Sequence, residues 1–68
     1  MKFTERFNEL VSICGKPQTQ IAKEINVSKQ CVSDYKSGKS VPSLQTLCLI
    51  CQCLDVSADY LLGLSDEY

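Results

Sequence analysis

Sixty-eight residues are enough for one domain, and a chain this short buries only about 60% of the surface that its unfolded form exposes. An apolar fraction of 44% excludes a disordered chain, and no apolar run approaches the roughly 18 residues of a membrane span. The net charge of −1, with a pI near 5.1, is a poor overall match to a nucleic-acid binder. The charge is unevenly placed, however: residues 16–39 carry +3 and the remainder −4, so one face can attract phosphate while another repels it. The opening MKFTERFNEL is charged and lacks the apolar stretch of a signal peptide, so a cytoplasmic chain is expected. One domain of this size, spanning 1–68, leaves no room for a separate ligand-sensing unit, and no small-molecule ligand or cofactor is expected.

Five short helices are expected. The first covers residues 4–14, with Phe7, Leu10, Val11 and Cys14 at helical spacing, Thr4 as its cap and Gly15 as its stop. Pro17 suits the first turn of a second helix that runs to Ile25, with Ile21, Ala22 and Ile25 on one face. Asn26 stands where the chain must turn, because asparagine tolerates positive φ. Ser28 caps a third helix that carries Val32 and Tyr35 inward, with Cys31 beside them, and stops at Gly38. A loop KSVP leads to a fourth helix over 43–54, with Leu44, Leu47, Cys51 and Leu54 in line. Ser57 caps a fifth helix with Tyr60, Leu61 and Leu64. No stretch alternates with period two, so no sheet is expected, and there is no internal repeat.

The five cysteines, Cys14, Cys31, Cys48, Cys51 and Cys53, all fall within helical segments, where free cysteine behaves as a small hydrophobe. Within CLICQC, Cys48 and Cys51 share a helix face and Cys53 does not. With no histidine and no fourth ligand in reach, a closed zinc site is not expected. GKS at 38–40 matches the tail of a phosphate-binding loop, but Ser33 stands where the loop needs its first glycine. No nucleophile has an evident base, so catalysis is not expected.

The stretch QTQIAKEINVSKQCVSDYKSG joins two helices by a tight turn, and Ala22 is small enough to let their backbones approach. Ile21, Ile25, Val27 and Val32 fill the angle between them. This spacing resembles the helix-turn-helix of the XRE family, which includes the phage Cro and CI repressors. The resemblance continues through GKSVPSLQTL to DVSADYLLGLSDEY and covers nearly the whole chain. It implies an all-α, compact five-helix bundle of the lambda repressor-like DNA-binding fold.

It also implies roles by position. The third helix would enter the major groove, with Lys29, Gln30, Ser33 and Asp34 at base-reading positions. Gln30 suits adenine, Lys29 suits guanine, and Asp34 could accept from a cytosine amino group. Gln18 would bond phosphate at the start of the second helix, and Ser28, Lys36, Lys39 and Ser40 are further phosphate candidates. The chain departs from the family at Val11 and Lys36, where an arginine and a glutamate usually pair; both are replaced together, so no charge is orphaned. Lys16 and Pro17 replace the usual leucine and threonine.

The implied function is a sequence-specific regulator of transcription, such as a phage-type or mobile-element repressor, acting as a homodimer on a palindromic site of double-stranded DNA. Leu49, Tyr60, Leu61, Leu62, Leu64 and Tyr68 are the candidate dimer surface, being more apolar than a small core needs. Two other readings remain open. One is a protein-interaction module of the same fold, antirepressor or antitoxin-like, favoured by the acidic pI and Asp34. The other is a redox or metal sensor built on the cysteines.

Overall fold

The computed structural model describes all residues 1–68. It is all-helical, in the order α1 (Phe3–Cys14), α2 (Gln18–Glu24), α3 (Lys29–Ser37), α4 (Leu44–Leu54) and α5 (Ala58–Leu62). No helix is long and apolar enough to cross a membrane.

The core begins in α1, where Phe3, Phe7 and Leu10 follow one another at four and three residues and are all buried. Phe3 and Phe7 stack at 5.2 Å, and both meet the Tyr35 ring edge-on at 6.1 and 6.0 Å. This aromatic group ties α1 to α3. Burial also pushes the Tyr35 hydroxyl up to about 12, with Cys31 adding to it. The first helix therefore starts earlier than the sequence suggests: Lys2 is the cap residue, with no side-chain cap bond, and Thr4 does not cap. Burial of Phe3 decides the start. Val11 and Cys14 only edge the core.

Pro17 stands one position earlier than expected, just outside α2 with an extended ψ of 155°, and its carbonyl accepts from the Ile21 amide at 3.1 Å. Ile21, Ala22 and Ile25 are buried as expected. Asn26 takes a φ of 60°, and the Val27 amide closes the turn on the Ala22 carbonyl at 2.9 Å. Ser28, Ser43 and Ser57 cap α3, α4 and α5, each accepting from the backbone amide three residues on.

The buried stripe of α4 is Leu47 and Ile50, with Cys51 and Leu54 packed beside them. Leu44 is not part of it and is 84% exposed, because the stripe i, i+3, i+4, i+7 starts at Leu47. Asp55 takes a left-handed φ of 57° to turn the chain into α5.

Arg6 fastens the C-terminal end to α1. Its Nη1 donates to the carbonyls of Tyr60 (2.7 Å) and Ser65 (2.6 Å), and its Nη2 donates to Asp66 (2.9 Å). The guanidinium lies 4.1 Å above the Tyr60 ring. The Ser57 amide donates to the Tyr68 carbonyl at 2.6 Å, and Tyr68 packs edge-on to Tyr60 at 4.7 Å. Two of the six candidate dimer residues are thus corrected: Tyr60 and Leu61 belong to the core. Leu64 lies beyond α5, past Gly63, and is exposed like Tyr68, while Leu49 and Leu62 are half-buried.

Candidate nucleic-acid interface

α3 is held from behind by Val32 and Tyr35, so the opposite side of the helix is set by the same anchors. That side carries Gln30 and Ser33, both exposed, and the half-buried Asp34. Ser37 shares it, a residue that sequence reasoning passed over although it lies one turn beyond Ser33. Lys29 opens the helix and is exposed; Ser28, immediately before it, is engaged through its Oγ as the cap.

The polar face is cross-linked. Gln18, first residue of α2, donates from Nε2 to Ser33 Oγ at 2.9 Å and to the Lys29 carbonyl at 3.4 Å. Gln30 donates from Nε2 to Asp34 Oδ1 at 3.0 Å. The structure therefore brings Gln18, Lys29, Gln30, Ser33 and Asp34 together on one surface. Lys39 and Ser40 follow the helix in a loop that turns back on it, their amides donating to the Asp34 carbonyl at 2.9 and 3.4 Å. Their side chains are exposed.

Lys36 is half-buried, and its carbonyl accepts from Asn8 Nδ2 at 2.8 Å. Asn8 also donates to the Thr4 carbonyl at 2.9 Å. Where the family usually pairs charges between the first and third helices, this chain uses an amide to a backbone carbonyl. The signal for it in the sequence was a polar residue three before Val11.

Lys16 is engaged elsewhere. Its Nζ lies 2.8 Å from Glu24 and 3.2 Å from the Cys53 carbonyl. The Lys16 ammonium, and after it the Gln20 amide, hold the Glu24 carboxyl down to about 2. Lys23, Lys29, Lys36 and Lys39 are in no ion pair, since the two salt bridges are Arg6–Asp66 and Lys16–Glu24. The cysteines do not converge. Cys48 is exposed, the other four are half-buried, and no three potential metal ligands come together. Burial pushes the thiols of Cys51 and Cys53 up, away from the reactive thiolate.

Two helices joined by a tight turn agree with what comparison with known protein families finds. The helix-turn-helix family profile matches residues 14–61. The chain belongs to the XRE-type helix-turn-helix family. It is 35% identical over 63 residues to the cryptic phage CTXphi transcriptional repressor RstR of Vibrio cholerae, covering 93% of this chain and 56% of that protein. It is 29% identical over 65 residues to the uncharacterized HTH-type transcriptional regulator YobD of Bacillus subtilis, covering 96% of this chain and 58% of that protein. The HTH-type transcriptional activator BcrR of Enterococcus faecalis is 32% identical over 63 residues, which are 93% of this chain and 31% of that protein. This helix-turn-helix chain therefore spans about half the length of the first two relatives and a third of the last. No solved structure gives a significant match.

Proposed function

We propose that this chain is a sequence-specific double-stranded-DNA-binding regulator of transcription, a repressor that binds a palindromic operator as a dimer. The observation that carries the reading is the outward side of α3. Its polar groups are cross-linked to α2 through Gln18, and the lysines around it have no acidic partner. In the major groove, Lys29, Gln30, Ser33 and Asp34 face base edges. Gln18, Lys39 and the hydroxyls of Ser28 and Ser40 serve phosphate, with Lys36 at the margin. Repression is supported by the name of the phage relative.

The dimer uses apolar surface left outside the core. The exposed Leu64 and Tyr68 and the half-buried Leu49 and Leu62 supply part of it. An open groove of about 590 Å³ between α4 and α5, bordered by Leu44, Cys48, Val56 and Ala58, supplies more. An isologous contact there pairs two recognition helices for half-sites about one helical turn apart.

Selection of bound duplexes from a random pool, followed by a salt titration, tests the reading. A palindromic winner whose affinity falls steeply with salt supports it. Sedimentation as a strict monomer, with operator present, sinks the dimer. The second reading, a protein-interaction module, is favoured by one feature, the Asp34 carboxylate in the middle of the face that would meet phosphates. Failure to enrich any duplex at low salt selects it.

A further inference from the structure

Gln30 and Asp34 stand one helical turn apart on the outward side of α3, and their bond of 3.0 Å runs from amide nitrogen to carboxylate oxygen. A carboxylate only accepts hydrogen bonds, whereas an amide has a donating end and an accepting end. The contact therefore has one chemical sense: the NH2 end of Gln30 faces Asp34 and the Oε1 end faces away. Asp34 is half-buried whereas Gln30 is exposed, so the carboxylate is the more enclosed member. No other side chain or backbone group bonds the Gln30 amide, which keeps one N–H and its oxygen free. One donor beside one acceptor is what the N7 and N6 amino group of adenine require in the major groove. The neighbouring Gln18–Ser33 bond has no such polarity of its own, because a hydroxyl both donates and accepts; there the amide sense is set by the longer bond to the Lys29 carbonyl.

We propose that Asp34 is a positioning residue that fixes the sense of the Gln30 amide, and through it sets which of A·T and T·A is read at one base pair. The inference rests on the DNA-binding reading above and deepens it. An amide with no fixed neighbour turns over and can pair with adenine on either strand. One held by a carboxylate presents its donor only on the Asp34 side. Asp34 acts through Gln30 and need not touch a base.

The test is duplex selection with the full chain and five proteins: wild type, Gln30→Ala, Asp34→Ala, Asp34→Asn and Asp34→Glu, each checked for a cooperative thermal transition. Gln30→Ala identifies the base pair by flattening its preference. At that pair the wild type prefers A·T over T·A by about tenfold or more. Asp34→Ala loses that preference. So does Asp34→Asn, which has the same shape but offers a donor as well as an acceptor and so tolerates either amide sense. Asp34→Glu, longer but acceptor-only, retains it. The proposal is overturned if Asp34→Ala and Asp34→Asn only raise affinity for all sequences alike, which marks plain repulsion of phosphate. It is also overturned if what they lose is a C·G preference, which marks direct reading of cytosine, or if Asp34→Glu behaves like Asp34→Ala. No enrichment by the wild type refutes the DNA-binding reading itself, and the inference with it.

Discussion

Arg6, reaching from α1 to α5 and the residues after it, donates three hydrogen bonds and covers an aromatic ring, with 11% of its side chain exposed. Lys29 and Lys39, at the two ends of α3, are exposed and meet no acidic group. The first region consumes its cation to hold the fold together; the second leaves its cations to the solvent. Of the acids with no cationic partner, Glu5, Glu9, Asp55, Asp59 and Glu67 lie outside the basic segment and Asp34 lies inside it. The outward field is therefore more polarised than a net charge of −1 suggests, and a sum over the chain is a poor guide to what one face attracts.

The sharpest way to break the comparison is to remove the structure both regions share. Phe7 is fully buried and touches both Phe3 and Tyr35. Phe7→Ala is expected to cost about 3–5 kcal/mol, which in a domain of this size abolishes the cooperative thermal transition followed by circular dichroism. A melt close to that of the wild type contradicts the aromatic core. Next comes the fastening itself. Arg6→Met keeps the stem and loses the donors, and is expected to cost about 2 kcal/mol by urea denaturation. Asp66→Ala is expected to change nothing measurable, since Asp66 is 95% exposed and its pair is screened by water. Equal effects of the two substitutions would mean that the ion pair, not the bonds to the Tyr60 and Ser65 carbonyls, holds the end of the chain.

Much of this was legible in the sequence because it is written locally. Gly15, Asn26 and Gly38 mark left-handed turns, and Ser28 and Ser57 mark helix starts, by chemistry that reaches only a few residues. The residues of the polar face were legible from spacing together with the family resemblance. What was not legible depended on distant partners. Phe3 belongs to the core because Tyr35, far along the chain, offers it an edge. Tyr60 looked like spare apolar surface because nothing local shows that Arg6 lies over its ring or that Glu9 accepts from its hydroxyl at 3.1 Å. Gln18–Ser33 and Asn8–Lys36 are likewise contacts between helices, and Leu44 was assigned to the α4 stripe because periodicity gives a stripe without saying where it starts.

A smaller effect separates free from engaged lysines. Removing one cation that neutralises a phosphate lowers the slope of log affinity against log salt by about 0.9. Lys29→Ala and Lys39→Ala are each expected to reduce the slope by about that amount, or by somewhat less where the side chain meets its phosphate only part of the time. Lys2→Ala, beside Gly63 at the end of α5, is expected to leave it unchanged. Equal slopes for all three variants would dissolve the distinction between the two regions as far as DNA is concerned.

The smallest effect concerns Lys16, which lies in the basic segment yet behaves like Arg6. Its ammonium, with help from Gln20, depresses Glu24 from an ordinary value of 4.5 to about 2 in the folded chain. A carboxyl whose folded value is the lower one stabilises the fold wherever it is ionised in both states, above pH 4.5, and loses that contribution as pH falls toward 2. Glu24→Gln cannot titrate. The difference in urea midpoint between wild type and Glu24→Gln should therefore be constant above about pH 5 and vanish near pH 2. Both side chains are partly exposed, at 32% and 34%, so added salt should shrink the difference at neutral pH. A difference that ignores both pH and salt would mean that Glu24 acts by packing, and would return Lys16 to the free cations of the α2–α3 face.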